Sequence, residues 1–85
     1  MYGIAIVDSG NYAMKFCSIL EKKGFVFEVV STPCQIAKDG CGYSIKFPLE
    51  LKDVIICEGK ANNIAIREIY KIVNMVTKNR YERVL

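Results

Sequence analysis

The pattern that most constrains the fold is a strand-like run, a helical repeat and a second strand-like run in the first thirty residues. Residues 3–7 are apolar and rich in β-branched side chains, which predicts a buried strand ending at Asp8-Ser9-Gly10. Asp8 or Ser9 is a suitable helix cap, and the next apolar residues recur at helical spacing until Gly24. Residues 25–30 predict a second strand. A crossover helix between two strands makes them parallel, so the chain begins with a β-α-β unit.

A long connection follows this unit. Residues 31–42 contain Thr32-Pro33, which is the entry signal of a helical turn, and end in two glycines around a cysteine. Loops of this length are typically functional or mobile. Residues 43–47 alternate between apolar and polar side chains, which predicts a third strand closed by Pro48.

The segment after Pro48 has two interpretations. In the first, a helix runs from Pro48 to Asn62-Asn63 and residues 64–73 form the fourth strand. In the second, residues 53–58 are a strand and residues 64–78 are a helix, since Ile66, Ile69 and Val73 also fit helical spacing. Periodicity alone does not choose between them.

The predicted strands and helices make the chain α+β, and its length and hydropathy predict one domain in the cytoplasm. The chain has 85 residues, lacks an apolar run long enough for a membrane span, and has no basic region typical of a signal peptide. In that reducing compartment the four cysteines are expected to be thiols. The net charge of +3 is modest and its basic residues are interspersed with acids, which favours a solvated surface over a nucleic-acid site.

Several classes of chemistry are disfavoured by what the sequence contains. There is no histidine to serve as the base of a nucleophilic triad, and no glycine motif of the nucleotide-binding type. The four cysteines are widely spaced with no C-x-x-C pair, so we expect neither a metal site nor a cofactor.

Cys41 is the candidate reactive residue. Gly40 and Gly42 allow backbone N–H groups to converge on one point, and Lys38 adds a positive charge nearby. Both effects would lower the pKa of the Cys41 thiol, and the thiolate is the form that attacks disulfides or accepts sulfane sulfur. The local sequence is equally consistent with a plain turn in which a cysteine happens to lie.

The other three cysteines have different expected roles. Cys34 shares the loop and is a candidate resolving thiol, able to form a disulfide with Cys41 if their Cα atoms approach within about 7 Å. Cys17 belongs to the apolar stripe of the first helix, and Cys57 follows an apolar run, so core packing is the expected role of both.

The order of these features resembles a known family. Ser31-Thr32-Pro33, Ile36 and Gly40-Cys41-Gly42-Tyr43, placed between two strands, are similar to the family described as putative selenium/sulfur carrier-like proteins, over roughly residues 2–73. The resemblance implies a ferredoxin-like β-α-β-β-α-β domain over residues 1–73, with an antiparallel sheet and two helices on one face, and a C-terminal tail over residues 74–85. It also implies that Cys41 is the carrier site, and it favours the first interpretation of the segment after Pro48.

Three functional hypotheses follow. The first is a carrier, rather than an enzyme with turnover, that holds sulfur or selenium on Cys41 between a donor and an acceptor protein. The second is a non-catalytic interaction or regulatory module that forms a homodimer. The third is a redox sensor based on Cys34 and Cys41. None of the three involves nucleic acid or a membrane.

Overall fold

Within the residues that the structure describes, the fold is one antiparallel sheet with two helices. The computed structural model describes residues 1–8, 10–33, 35–36, 42–76 and 78–85. Along the chain the elements are β1 (Tyr2–Val7), α1 (Gly10–Lys22), β2 (Glu28–Ser31), β3 (Tyr43–Pro48), a 3₁₀ turn (Leu49–Leu51), α2 (Lys52–Ala61), β4 (Ile66–Asn74) and β5 (Asn79–Arg83). The strand order is β2-β3-β1-β4-β5, and every neighbouring pair is antiparallel.

The predicted β-α-β unit is confirmed. Strands β1 and β2 both pair antiparallel with β3, which lies between them, so they run parallel to each other. Helix α1 ends at Lys22, just before Gly24, the glycine that the sequence predicts to end it. The φ of Gly24 is a left-handed 93°, and Phe25 N donates to Leu20 O at 2.9 Å. That bond holds Phe25 at the end of the helix, so β2 begins at Glu28 and not at residue 25 as predicted.

The ferredoxin-like expectation is met at the level of fold class. An α+β chain with an antiparallel sheet and two helices is confirmed, but the sheet has a fifth strand and its order therefore differs from the expected one. Strand β5 pairs with β4 from Tyr70↔Arg83 to Asn74↔Asn79. The N–H and C=O groups of β4 that point away from β1 thus bond to β5, which lies in a segment that the sequence predicts to be a tail. The division of the chain at residue 73 stays a prediction.

The first interpretation of the segment after Pro48 is correct. Residues 52–61 are helical and residues 66–74 form an interior strand of the sheet, so the alternative with a helix over 64–78 is wrong. Asn63 adopts a left-handed φ of 57° and Ile64 N donates to Gly59 O at 2.8 Å, which ends α2 before β4 begins. In β4, Ile69 pairs with Ala5 of β1, and both side chains are fully buried.

The core lies between the helices and one face of the sheet. Alternation along β1 and β3 directs Ala5, Ile45 and Phe47 towards this face. The helices contribute Phe16 and Ile55, which are also fully buried. The opposite face carries the alternate side chains, including Tyr2 and Lys46, whose ammonium lies 4.8 Å from the Tyr2 ring centroid. No helix within the described residues is long and apolar enough to cross a membrane.

We expect Gly59→Ala to destabilise the protein because α2 approaches the start of β4 closely at this residue. A Cβ here would lie 2.9 Å from Ile64 O and 3.0 Å from Ile66 Cγ1. Alanine gains about 1 kcal/mol in helix propensity, but overpacking costs about 1–3 kcal/mol, so the free energy of unfolding in urea should fall by about 1 kcal/mol. The exposed neighbour variant Lys60→Ala should change it by less than about 0.5 kcal/mol. A more stable Gly59→Ala protein would contradict this packing.

Candidate functional site

Most of the predicted site residues lie outside the described part of the chain. Cys34, Lys38, Gly40 and Cys41 are not among the described residues, whereas Gly42 is. Their roles therefore stay predictions. The structure does describe the residues that flank them, and these define the frame of the site.

The ends of the cysteine-containing loop are joined by a main-chain hydrogen bond. Thr32 N donates to Gly42 O at 2.7 Å, which continues the β2–β3 register one step beyond Ser31↔Tyr43. On the N-terminal side, Ile36 N donates to Pro33 O at 3.0 Å, which agrees with the turn that Thr32-Pro33 predicts. The loop over residues 33–41 is thus closed at its base by the end of the sheet.

A pair of hydroxyl groups reinforces this closure. Thr32 Oγ1 and Ser44 Oγ are hydrogen-bonded on the sheet face opposite the helices. Ser44 is 0 % exposed, so its hydroxyl depends on a protein partner and not on bulk water. The sequence gives no signal for this contact, since it depends on the register between β2 and β3.

The start of helix α1 lies against the same end of β3. The Tyr43 ring packs over Gly10, the first residue of α1, so closely that a Cβ at Gly10 would lie 3.0 Å from Tyr43 Cδ2. The first turn of α1 contains no acidic residue. The N-terminus of a helix carries partial positive charge, which here is not offset by a carboxylate in that turn.

An ion pair joins the neighbouring strand ends. Asp8, which directly follows β1, pairs with Arg67 Nε near the start of β4. Both side chains are exposed by more than two fifths, so the pair contributes little to stability. Asp8 was one of two predicted caps of α1, and its carboxylate is in contact with Arg67; the other, Ser9, lies outside the described residues.

The two described cysteines differ in their surroundings. Cys17 packs against the core from α1 as predicted, and burial raises the pKa of its thiol. Cys57 is exposed, so the prediction that it is buried is wrong. The reason is the helical period of α2: Ile55 faces the core, and a residue two positions later lies on the far side of the helix. Within the described residues no group of three or more histidine, cysteine or acidic side chains is placed to hold a metal ion.

Most of the chain matches a known protein family. Residues 2–71 match the model of the family described as "Putative Se/S carrier protein-like". The chain belongs to this family. The match extends from β1 into β4, so β5 lies beyond it. No curated protein and no solved structure matches the chain. Membership of the Se/S carrier-like family confirms the resemblance that the loop sequence indicates.

We expect Thr32→Val to weaken the closure of the loop. The substitution keeps the side-chain shape but leaves the buried Ser44 hydroxyl without its partner, which costs about 1–3 kcal/mol of unfolding free energy. Thr32→Ser retains the hydroxyl and should lose less unfolding free energy than Thr32→Val. In a double-mutant cycle measured by urea unfolding, the double variant Thr32→Val/Ser44→Ala should lose less unfolding free energy than the sum of the losses in the two single variants. Strict additivity would show that the two hydroxyls are not coupled.

We expect Cys17 to react with iodoacetamide more slowly than Cys57 in the folded protein at neutral pH. The raised pKa of Cys17 lowers its thiolate fraction, and its packing against the core restricts access, whereas Cys57 is exposed. Peptide mass spectrometry over a time course measures both rates in one sample. The difference should vanish in urea, where both thiols are free. Equal rates in the folded protein would contradict the described packing of α1.

Proposed function

We propose that this protein carries sulfur or selenium on Cys41 as a persulfide-type adduct and passes it to an acceptor protein. The proposal mainly depends on where the two ends of the cysteine-containing loop lie. Thr32 and Gly42 are joined by a main-chain hydrogen bond, and the next residue, Tyr43, packs on the first residue of α1. Membership of the Se/S carrier-like family supports the same role. Donor and acceptor proteins are the partners that such a role requires.

Electrostatics support a reactive thiol at this end of the sheet. Cys41 is bonded to Gly42 and precedes Tyr43 by two residues, so chain connectivity limits its Cα to about 7 Å from that of Tyr43. Tyr43 in turn touches the N-terminus of α1, where partial positive charge favours an anionic sulfur. In the proposal, Lys38 and the amides near Gly40 and Gly42 add to this effect.

The proposed transfer is a pair of displacements on sulfur. The Cys41 thiolate attacks the terminal sulfur of a donor persulfide, the S–S bond of the donor breaks, and the donor leaves as a thiolate. An acceptor thiolate then attacks the terminal sulfur on Cys41 and regenerates the Cys41 thiolate. Neither step changes the total number of electrons, so no external oxidant is needed. Selenium takes the place of the terminal sulfur in the selenium version.

Cys34 provides a second route for releasing the cargo. Its thiolate would attack the inner sulfur of the Cys41 adduct, form a Cys34–Cys41 disulfide and release hydrosulfide. A dithiol reductant would then restore both thiols. This cycle requires a reducing compartment, for which we propose the cytoplasm. The same disulfide, formed by an oxidant without cargo, is the basis of the redox-sensor alternative.

The fold is proposed to be a ferredoxin-like domain extended at one edge. The element order from β1 to β4 is β-α-β-β-α-β, and β5 then adds a strand beyond β4. Among the described strands none covers the outer edge of β5, which favours the second functional hypothesis, a homodimeric module, because unpaired strand edges are common pairing sites. A carrier and a dimer are compatible, and Cys41→Ser separates them: it abolishes transfer and leaves dimerisation intact.

We expect glutathione persulfide to add one sulfur atom to Cys41. Intact-protein and peptide mass spectrometry should show the mass of one added sulfur atom on Cys41 in the native chain and in Cys57→Ser, the matched control. The added mass should be absent in Cys41→Ser. The measured pKa of the Cys41 thiol should lie below the ordinary value of about 8.5. Addition to Cys57 alone, or an ordinary pKa with no adduct, would disprove the carrier role.

A further inference from the structure

The outer edge of β5 is a free strand edge with a regular hydrogen-bonding pattern. In the part of the chain that the structure describes, β5 pairs only with β4 and no strand covers its other side. Met75 N donates to Lys78 O and Val84 N to Ile69 O, which identifies the even-numbered residues of β5 as those bonded to β4. The N–H and C=O groups of Asn79, Tyr81 and Arg83 therefore point outwards.

We infer that two copies of this chain pair through β5, antiparallel, with Tyr81 on the two-fold axis. In this register Tyr81 lies opposite Tyr81 of the second copy, and Asn79 lies opposite its Arg83. All of these residues present outward backbone groups, so the two strands exchange about six main-chain hydrogen bonds. The two sheets then form one continuous sheet. The inference is independent of the carrier function.

The charge pattern of β5 selects this register. With Tyr81 on the axis, Arg80 of each copy lies opposite Glu82 of the other, in the non-hydrogen-bonded pairs where side chains are closest. Moving the axis to residue 80 would place two Arg80 side chains opposite each other, and moving it to residue 82 would do the same for Glu82. Like charges directly opposite are destabilising, so both neighbouring registers are disfavoured by the pairs within the strand Asn79–Arg83.

Contacts within one copy support the arrangement. Glu82 lies opposite Lys71 across the β4–β5 ladder, with its carboxylate 3.9 Å from the Lys71 ammonium and 3.1 Å from Arg80. In the dimer Lys71 would lie beside Glu82, and Glu82 beside Arg80 of the second copy. The charges would therefore alternate in sign from β4 across β5 to the β5 strand of the second copy. Charges on an edge strand usually prevent pairing, but here they are complementary to themselves in one register.

The opposite edge of the sheet is a weaker candidate. Strand β2 has four residues, and the Thr32–Gly42 bond shows that its even-numbered residues face β3. Only Val29 and Ser31 remain to pair outwards, which allows about four main-chain hydrogen bonds in a symmetric pair. That edge also lacks oppositely charged residues two positions apart. The observations therefore favour β5.

The test is a set of charge reversals examined by sedimentation velocity. The native chain should form a dimer as its concentration rises to about 1 mM, since a strand-edge contact is small and its affinity correspondingly modest. Arg80→Glu and Glu82→Arg should each remain monomeric, because each places like charges opposite each other. An equimolar mixture of these two variants should form a heterodimer, and the double variant Arg80→Glu/Glu82→Arg should form a homodimer again.

Two controls make the test specific. Lys15→Glu, on the exposed surface of α1, changes the net charge as Arg80→Glu does and should dimerise like the native chain. Hydrogen exchange should show the amides of Tyr81 and Arg83 gaining protection with concentration, while those of Arg80 and Glu82 are protected throughout. A chain that stays monomeric up to about 1 mM, or a dimer that both single reversals leave unchanged, would overturn the inference.

Discussion

The pairing of β1 with both β3 and β4 is the interaction on which the rest of the structure depends. β1 is the central strand, and its residue Ala5 lies opposite Ile45 on one side and Ile69 on the other. The three side chains are fully buried under the helices. Because these partners come from distant parts of the chain, this one alignment determines the orientation of β3 and β4. It thereby determines which residues lie at each end of the sheet.

The candidate site follows from that alignment. Strand β1 ends where β3 begins, so the start of α1, the base of the cysteine-containing loop and the Asp8–Arg67 pair lie at one end of the sheet. The closure between Thr32 and Gly42 then anchors the loop to this end. The proposed carrier role requires a thiol within a backbone that is held in place, and the bond between Thr32 and Gly42 at the end of the sheet supports that part of the proposal.

The C-terminal segment adds a second, separate surface. Strand β5 lies beyond the residues that match the family model, and two strands, β1 and β4, separate it from β3, which leads out of the cysteine-containing loop. Pairing of two copies at this edge would leave the base of both loops unobstructed. The proposed dimerisation and the proposed transfer would therefore be separable, because one would depend on charges in β5 and the other on the chemistry of the loop.

The sequence by itself determined the features that depend on neighbours along the chain. These are the β-α-β unit, the end of α1 at Gly24, the alternating strand β3 and the cysteine-containing loop that marks the family. Each is a local pattern, because helix period, strand period and glycine conformation are properties of a few consecutive residues. The cysteine loop's chemistry was predicted in the same way, from Gly40, Cys41 and Gly42.

Only the tertiary structure decided the features that depend on register between distant strands. Residues 66–74 fit both a strand and a helix until their pairing with β1 is known. The partnership of Thr32 with Ser44 and the recruitment of residues 79–83 into the sheet have the same origin. The exposure of Cys57 depends instead on which face of α2 packs against the core. Cross-strand hydrogen bonds and shared burial join residues that no local pattern connects, so tertiary packing overrides local preference at these positions.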